Sequence, residues 1–154
     1  MEAMKEMLKR ENVQIVDSCK DWKEAVHVAA QPLVDGGYVT PAYIDGIINN
    51  ALELGPYFVL VPDLALLHAR PEQGALKKQL AVTVLRHGTV FKEGGDPVRV
   101  LVTLAATDPN SHLDVMRILA MMFADAENIR RVANAETADD VYNFFVNFTV
   151  SADG

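Results

Sequence analysis

Three continuous apolar runs decide most of what this chain can become: YFVLV at 57–61, LAVTVL at 80–85 and VRVLVTLAA at 98–106. None of them alternates polar with apolar residues, so none presents a face meant for water. Pro56 and Pro62 bound the first, and Gly94-Gly95-Asp96-Pro97 introduces the third as a turn. Short runs of this kind read as strands covered on both faces.

The segments between them carry the helical period instead. Residues 21 to 35 place Trp22, Ala25, Val26, Ala29 and Leu33 on one face. Asp21 with Glu24 forms a start like a capping box, Pro32 is expected to kink the last turn, and Gly36-Gly37 ends it. Thr40-Pro41 is an N-cap followed by an N1 proline, and Ile44, Ile47, Ile48 and Ala51 then face inward up to Gly55-Pro56. A further helix is expected to begin near Asn110 or Ser111 and to be deeply buried, because its middle is apolar nearly all round. DAENIRRVANA reads as a short helix and TADDVYNFFVNF, 137–148, as a final one. Helices interleaved with buried strands predict an α/β layered domain, a mixed and mostly parallel sheet with helices on both faces.

With 154 residues, the chain fits a single domain spanning 1–154 and can bury a core without staples. Half of it is hydrophobic, which excludes disorder. The net charge of −7, with no basic cluster longer than Lys9-Arg10, Lys77-Lys78 or Arg130-Arg131, argues against nucleic acid and anionic membranes and leaves room for a basic protein partner. The single cysteine, Cys19, forbids an internal disulfide and fits a reducing compartment, where a buried inert thiol is expected. The start MEAMKEMLKRENV has no apolar core of a signal peptide, and no window approaches 18 uninterrupted apolar residues. A cytoplasmic protein with no membrane insertion follows as the expectation.

Several chemistries are absent from the sequence. It has neither type of Gly-rich phosphate loop and no G-x-S-x-G elbow. The four histidines, His27, His68, His87 and His112, show no metal-ligand spacing, so no metal and no cofactor is expected. His27 reads as a partly buried structural residue, and His87-Gly88 as a turn after the second strand. Met121-Met122-Phe123 reads as core.

His68 stands apart. It follows an apolar run, where α/β sheets place their ligands, and Arg70 comes two residues later before Pro71-Glu72-Gln73-Gly74. An imidazole that titrates near neutrality has a usable nucleophilic nitrogen, and a guanidinium matches phosphate oxygens in a bidentate fork. His112 lies at an expected helix N-terminus, where amides and dipole favour an anion. If the strands at 57–61 and 98–106 are neighbours, their C-terminal ends bring His68 and His112 together. Thr107 and Asn110 could line the same pocket, and Glu72 could orient Arg70. On residue types alone, a surface-loop histidine is an equal reading of His68.

The segment GPYFVLVPDLALLHARPEQG, 55–74, resembles the active-site signature of the mannitol/fructose-type IIA components of the bacterial phosphoenolpyruvate-dependent phosphotransferase system. WKEAVHVAAQPLVDGGYVTPAYIDGII and DPVRVLVTLAATDPNSHLDVMRILAMMF resemble the family's first two helices and its later strand and helix, so the likeness runs over most of the chain. The resemblance implies the mannitol/fructose-type IIA fold and a phosphohistidine on His68. It makes His112 the second active-site histidine, with Arg70 beside the phosphate. It further implies HPr as donor, a IIB component as acceptor and, through IIB, a IIC membrane permease; a homodimer is allowed. The wording GPYFVLVP followed by HARPEQG is most similar to the ascorbate-specific branch. The alternative reading is a regulatory IIA-like module whose phosphorylation state switches a protein partner.

The chain departs from the family pattern at Asp63, where glycine is usual, and at Leu67, where proline is usual. The first is expected to restrict the loop and to put a negative charge near the phosphate; the second is expected to loosen the chain before His68. Leu64, Leu66 and Leu67 are expected to form an apolar rim for HPr.

Overall fold

The computed structural model describes residues 2–55, 58–108 and 113–148. A short helix α1 (Glu2–Met7) leads into strand β1 (Leu8–Val16), followed by α2 (Trp22–Asp35) and α3 (Pro41–Leu54). Strands β2 (Val59–Val61) and β3 (Leu64–Leu67) come next, then a 3-10 turn at Pro71–Gln73. The long strands β4 (Gln79–Val90) and β5 (Pro97–Ala105) precede α4 (Leu113–Phe123), α5 (Ala126–Ala133) and α6 (Ala138–Asn147).

The five strands form one sheet in the order β1-β4-β5-β3-β2. β1 runs parallel to β4 and β3 parallel to β5, while β4–β5 and β2–β3 are antiparallel hairpins. The sheet is therefore mixed as expected, with parallel pairing in two of these four ladders rather than in most of them. The hairpin between β4 and β5 at the sheet's centre is what divides it.

The strand period of two sorts the core into two layers. Leu64, Leu66, Leu80, Val82, Val84, Val100, Val102 and Leu104 face the layer under α1, α4, α5 and α6. Ala65, Leu67, Ala81, Leu85, Leu101 and Ala105 face α2 and α3. Both faces are thus covered, and burying each leucine or valine contributes about 1.5 to 3 kcal/mol. Of the helical expectations, 21–35, 41–54, DAENIRRVANA and 137–148 are borne out. The α4 expectation is corrected: only Val115, Ile118, Leu119 and Met122 are buried, and Leu113 and Ala120 face outward. That helix lies on one face of the sheet, so only one side of it can pack.

The strand expectations shift in detail. YFVLV is no covered strand: Val59–Val61 is a short edge strand with Leu60 and Val61 exposed. The covered strand is the next segment, Leu64–Leu67, every residue of which is buried. His87-Gly88 is not a turn either. β4 runs through both, with a register irregularity between Val84 and Thr89. β1, which carries Lys9, Arg10 and Glu11 on an outer edge, has no apolar alternation to announce it.

Pro32 sits inside α2 without ending it. A proline has no N–H, so the carbonyl of Val28 loses its helical donor. The side-chain amide of Gln14 on β1 donates to that carbonyl at 2.8 Å and also reaches Thr83 Oγ1 at 3.0 Å. Asp21 caps the same helix by accepting from the Glu24 amide, and Glu24 accepts from the Lys20 amide one residue before the cap.

Replacing Gln14 by Ala is expected to cost about 1 to 2 kcal/mol, because it orphans a partly buried carbonyl. Pro32→Ala supplies the missing N–H, so the double variant should recover at least about 0.5 kcal/mol relative to the summed singles. Urea unfolding of the four proteins measures this; strictly additive losses would mean that Gln14 does not substitute for the missing donor.

Candidate functional site

The site begins with the parallel register of β3 against β5, Leu64 opposite Val100 through Leu67 opposite Thr103. Parallel neighbours point their C-terminal ends the same way. His68 therefore leaves β3 beside the segment Leu104 to Asp108 that leaves β5. A cleft of ≈ 390 Å³ opens there, with His68, Arg70 and Pro71 on one wall, Leu104, Ala106 and Asp108 on another, and Tyr43, Asn50 and Leu54 from α3 closing it.

His68 is half-buried, and its Nδ1 lies 3.4 Å from the carbonyl oxygen of Leu66. Arg70 is exposed, and its Nε donates to the Glu72 carboxylate at 3.1 Å. Glu72 does orient Arg70. The pair is open to solvent, so it contributes at most about 1 kcal/mol and holds the guanidinium only loosely. The expected approach of His112 to His68 falls on residues 109–112, outside those described, as do Asn110 and Ser111. Thr107 is exposed beside the cleft's lining residues Ala106 and Asp108.

His27 and His87 are not among the residues that line the cleft. His27 is exposed rather than partly buried, because it occupies the outer side of α2. His87 is exposed, 3.9 Å from Asp17. Cys19 is partly buried; burial pushes its thiol up, and Glu24 and Asp21 push it further, so the reactive thiolate is disfavoured. Among the described residues no group of three or more His, Cys, Asp or Glu side chains could hold a metal ion, and no helix is long and apolar enough to cross a membrane.

The α3 residues had no place in the sequence-based site. Tyr43 and Asn50 are both buried. The Tyr43 hydroxyl donates to Leu104 O at 2.8 Å, accepts from the Ala69 amide at 3.1 Å and lies 3.2 Å from Ala69 O. Asn50 and Gln73 pair their amides reciprocally at 2.9 and 3.1 Å, and Gln73 Oε1 also accepts from the Arg70 amide at 2.8 Å. The signal available in the sequence was a tyrosine and an asparagine seven residues apart, two polar-tipped residues on an otherwise apolar helix face.

The expected apolar rim is corrected. Leu64, Leu66 and Leu67 are buried in the sheet and cannot touch a partner. Leu54, 70% exposed at the end of α3, is the apolar side chain that borders the cleft.

The family model described as "Phosphoenolpyruvate-dependent sugar phosphotransferase system, EIIA 2" matches residues 6–148. SgcA, a proposed phosphotransferase IIA component of Escherichia coli (strain K12), is 40% identical over 131 residues, covering 84% of this chain and 92% of that protein. The ascorbate-specific EIIA component of the same strain is 32% identical over 137 residues, 88% of this chain and 89% of its own. The solution structure of the mannitol-specific cryptic phosphotransferase enzyme IIA CmtB from Escherichia coli superposes with a TM-score of 0.88 at 28% identity, covering 95% of this chain and 99% of that one.

Asp63 lies far from the cleft, contrary to the expectation of a charge beside the phosphate. It occupies the two-residue Pro62-Asp63 turn of the β2–β3 hairpin, at the opposite end of β3 from His68, roughly 15 Å away at about 3.3 Å per residue. Its φ of 70° is the left-handed conformation that glycine usually supplies. Arg99 holds its carboxylate at 3.3 and 3.4 Å. Leu67 is strand core and loosens nothing. Asp63→Gly should relieve about 1 kcal/mol of backbone strain and forfeit a partly exposed ion pair of similar size. The net change in unfolding free energy is therefore expected to stay within about 1 kcal/mol, as read by urea titration. A loss well beyond that would make the Asp63–Arg99 pair a major support of the hairpin.

Proposed function

This chain belongs to the EIIA 2 family of the phosphoenolpyruvate-dependent sugar phosphotransferase system, a family of phosphotransferases, and on that premise we propose that it carries its phosphoryl group on His68. In this reading HPr is the donor and a IIB component the acceptor, which in turn passes the phosphoryl group to the sugar carried by a IIC permease. The observation that carries it is the half-buried imidazole at the end of β3, sharing one cleft wall with the Arg70 guanidinium.

The chemistry follows from the surroundings of each group. A carbonyl oxygen can only accept, so the contact with Leu66 O favours a proton on Nδ1 and the lone pair on Nε2. That lone pair attacks phosphorus in line while the P–N bond of the donor phosphohistidine breaks, its electron pair returning to the donor ring. The second transfer repeats the step in the opposite sense: the nucleophile of IIB attacks, the P–Nε2 bond breaks, and His68 regains its neutral ring. Neither step needs a redox partner.

The three equatorial phosphoryl oxygens need donors in the transition state. The Ala69 and Arg70 amides are already taken by Tyr43 and Gln73, so these two peptides do not supply them. Arg70 does. Its exposed pairing with Glu72 is worth at most about 1 kcal/mol, whereas charge-assisted bonds to a phosphoryl dianion are worth about 1.5 to 3 kcal/mol each. The guanidinium can therefore exchange one partner for the other. His112 serves as a second donor in this reading. Leu54 offers a docking protein the exposed apolar contact that the buried leucines cannot. Of the sugars in its relatives' names, ascorbate is the one favoured by the wording of residues 55–74.

With phosphoenolpyruvate, enzyme I and HPr, the wild type should gain acid-labile phosphate and His68→Ala none. Label retained by His68→Ala ends this assignment. Adding IIB should discharge the label, and membranes bearing IIC, offered ascorbate or mannitol, read the sugar. Label that stays on His68 despite an active IIB favours the regulatory module. Arg70→Lys keeps the charge but loses the planar fork, so transfer should slow by one to two orders of magnitude, about 1.4 to 2.7 kcal/mol. Its melting temperature should hardly move, and a large thermal loss with normal kinetics would make Arg70 structural.

A further inference from the structure

Two peptide groups join His68 to Arg70, and the N–H of each ends on a buried or half-buried side chain rather than on a strand. The Ala69 amide donates to the Tyr43 hydroxyl at 3.1 Å and the Arg70 amide to Gln73 Oε1 at 2.8 Å. Both anchors lead back to α3. Tyr43 is 1% exposed and Asn50, which holds the Gln73 amide, 5%. The two residues are two turns apart on one face of that helix. Between them lies Gly46, where a Cβ would come within 3.1 Å of Gln73, so the bare backbone lets the Gln73 amide lie against the helix. At Gly74, φ is 141° and a Cβ would lie 2.4 Å from Thr40 Oγ1, so the loop turns back onto the start of α3.

The Tyr43 hydroxyl does more than satisfy one amide. Its own proton goes to Leu104 O at 2.8 Å, so a single group ties the exit of β3 to the exit of β5. The Leu104 end leads directly to Ala106 and Asp108 on the facing wall of the cleft. A tyrosine that merely filled the core would be matched by phenylalanine. This one spends its hydroxyl on the two strand ends that form the cleft, where a desolvated bond is strong and its loss orphans both partners.

We infer that Tyr43 is a positioning residue for phosphoryl transfer, which with the Asn50–Gln73 amide pair fixes the two peptides between His68 and Arg70 and so sets how imidazole and guanidinium meet one phosphoryl group. This rests on the reading of His68 as the phosphoryl acceptor. With the backbone between them clamped, only side-chain torsions remain free, and an in-line attack needs the ring nitrogen within a few tenths of an ångström of its place. A misplacement of about 1 Å costs on the order of a hundredfold in rate.

Single-turnover transfer from phospho-HPr tests the inference on four variants. Tyr43→Phe keeps the ring in its core site and should lower kcat roughly tenfold to a hundredfold, with KM for phospho-HPr near that of the wild type. Gln73→Ala, at a half-exposed position, should lower kcat in the same direction by less. Phe145→Leu, in the core layer on the other face of the sheet, serves as the stability control: with a comparable fall in melting temperature it should keep the wild-type kcat. Folded Tyr43→Phe with wild-type kcat overturns the inference, as does an equal kinetic loss in Phe145→Leu. Should Tyr43→Phe not fold, Gln73→Ala decides: normal kcat overturns it, and a selective fall in kcat supports it. His68→Ala separates the two readings, since label on that variant removes His68 as acceptor whatever Tyr43 does.

Discussion

The parallel pairing of β3 with β5 is the constraint on which the rest depends. β3 has four residues, too few to stand alone, and the match of Leu64 to Leu67 with Val100 to Thr103, together with cover on both of its faces, holds it in place. A slip of one residue would exchange Leu64 and Leu66 for Ala65 and Leu67 across the sheet and leave both core layers misfilled. The register therefore cannot drift. Because it cannot, the chain after Leu67 emerges at a set place, beside the segment that leaves β5.

Small side chains fill the layer in which α2 and α3 cover the sheet. Ala65, Ala81 and Ala105 line the sheet face beneath α2 and α3, and Ala25, Ala29 and Ala30 belong to the same layer. Alanines there let α2 lie close on the sheet with α3 packed against α2, and the length of the Tyr43 side chain carries a hydroxyl of α3 to the two strand ends. Tyr43 is thus a consequence of the packing as well as an addition to it. Its ring lies in the apolar layer and its oxygen bonds to the backbone of Ala69 and Leu104 at the two strand ends.

Charge is distributed along the sheet with similar economy. At the end away from the cleft, Arg99 holds Asp63 and also reaches Asn134 at 3.1 Å, while Arg86 donates to the carbonyls of Ala135 and Glu136 at 2.6 and 2.7 Å, just beyond the end of α5. These arginines close the hairpin and the helix end. At the cleft, Arg70 pairs among the described residues with an exposed glutamate, a partner it can leave. The same side-chain type is fastened at one end of the sheet and exchangeable at the other, and burial together with the number of bonds makes the difference.

How much was legible follows from the range of each signal. The cap of α2, the Gly-Gly stop after it and the runs at 80–85 and 98–106 depend on neighbours a few residues apart, and those elements stand as the sequence indicates. The His-x-Arg signature is equally local, so it pointed to one loop. The failures have longer reach. YFVLV was apolar enough to be a central strand, yet the sheet took LALL and left Val59–Val61 at its edge, since only one of the two could occupy the slot beside β5. Asp63 is near His68 in number but lies at the other end of a strand from it, and Leu64, Leu66 and Leu67 belong to the sheet rather than to a rim. Tyr43 bonds to residues 26 and 61 positions away, a distance over which no local pattern carries information. The sequence by itself determined α2, α3, α5, α6 and the runs of β4 and β5, their two-sided covering and the loop that bears the histidine, because propensity and period act over a turn or a pleat. Which side chains surround that histidine was decided only by tertiary structure, because a hydroxyl's partner is whatever the packed sheet leaves unsatisfied beside it.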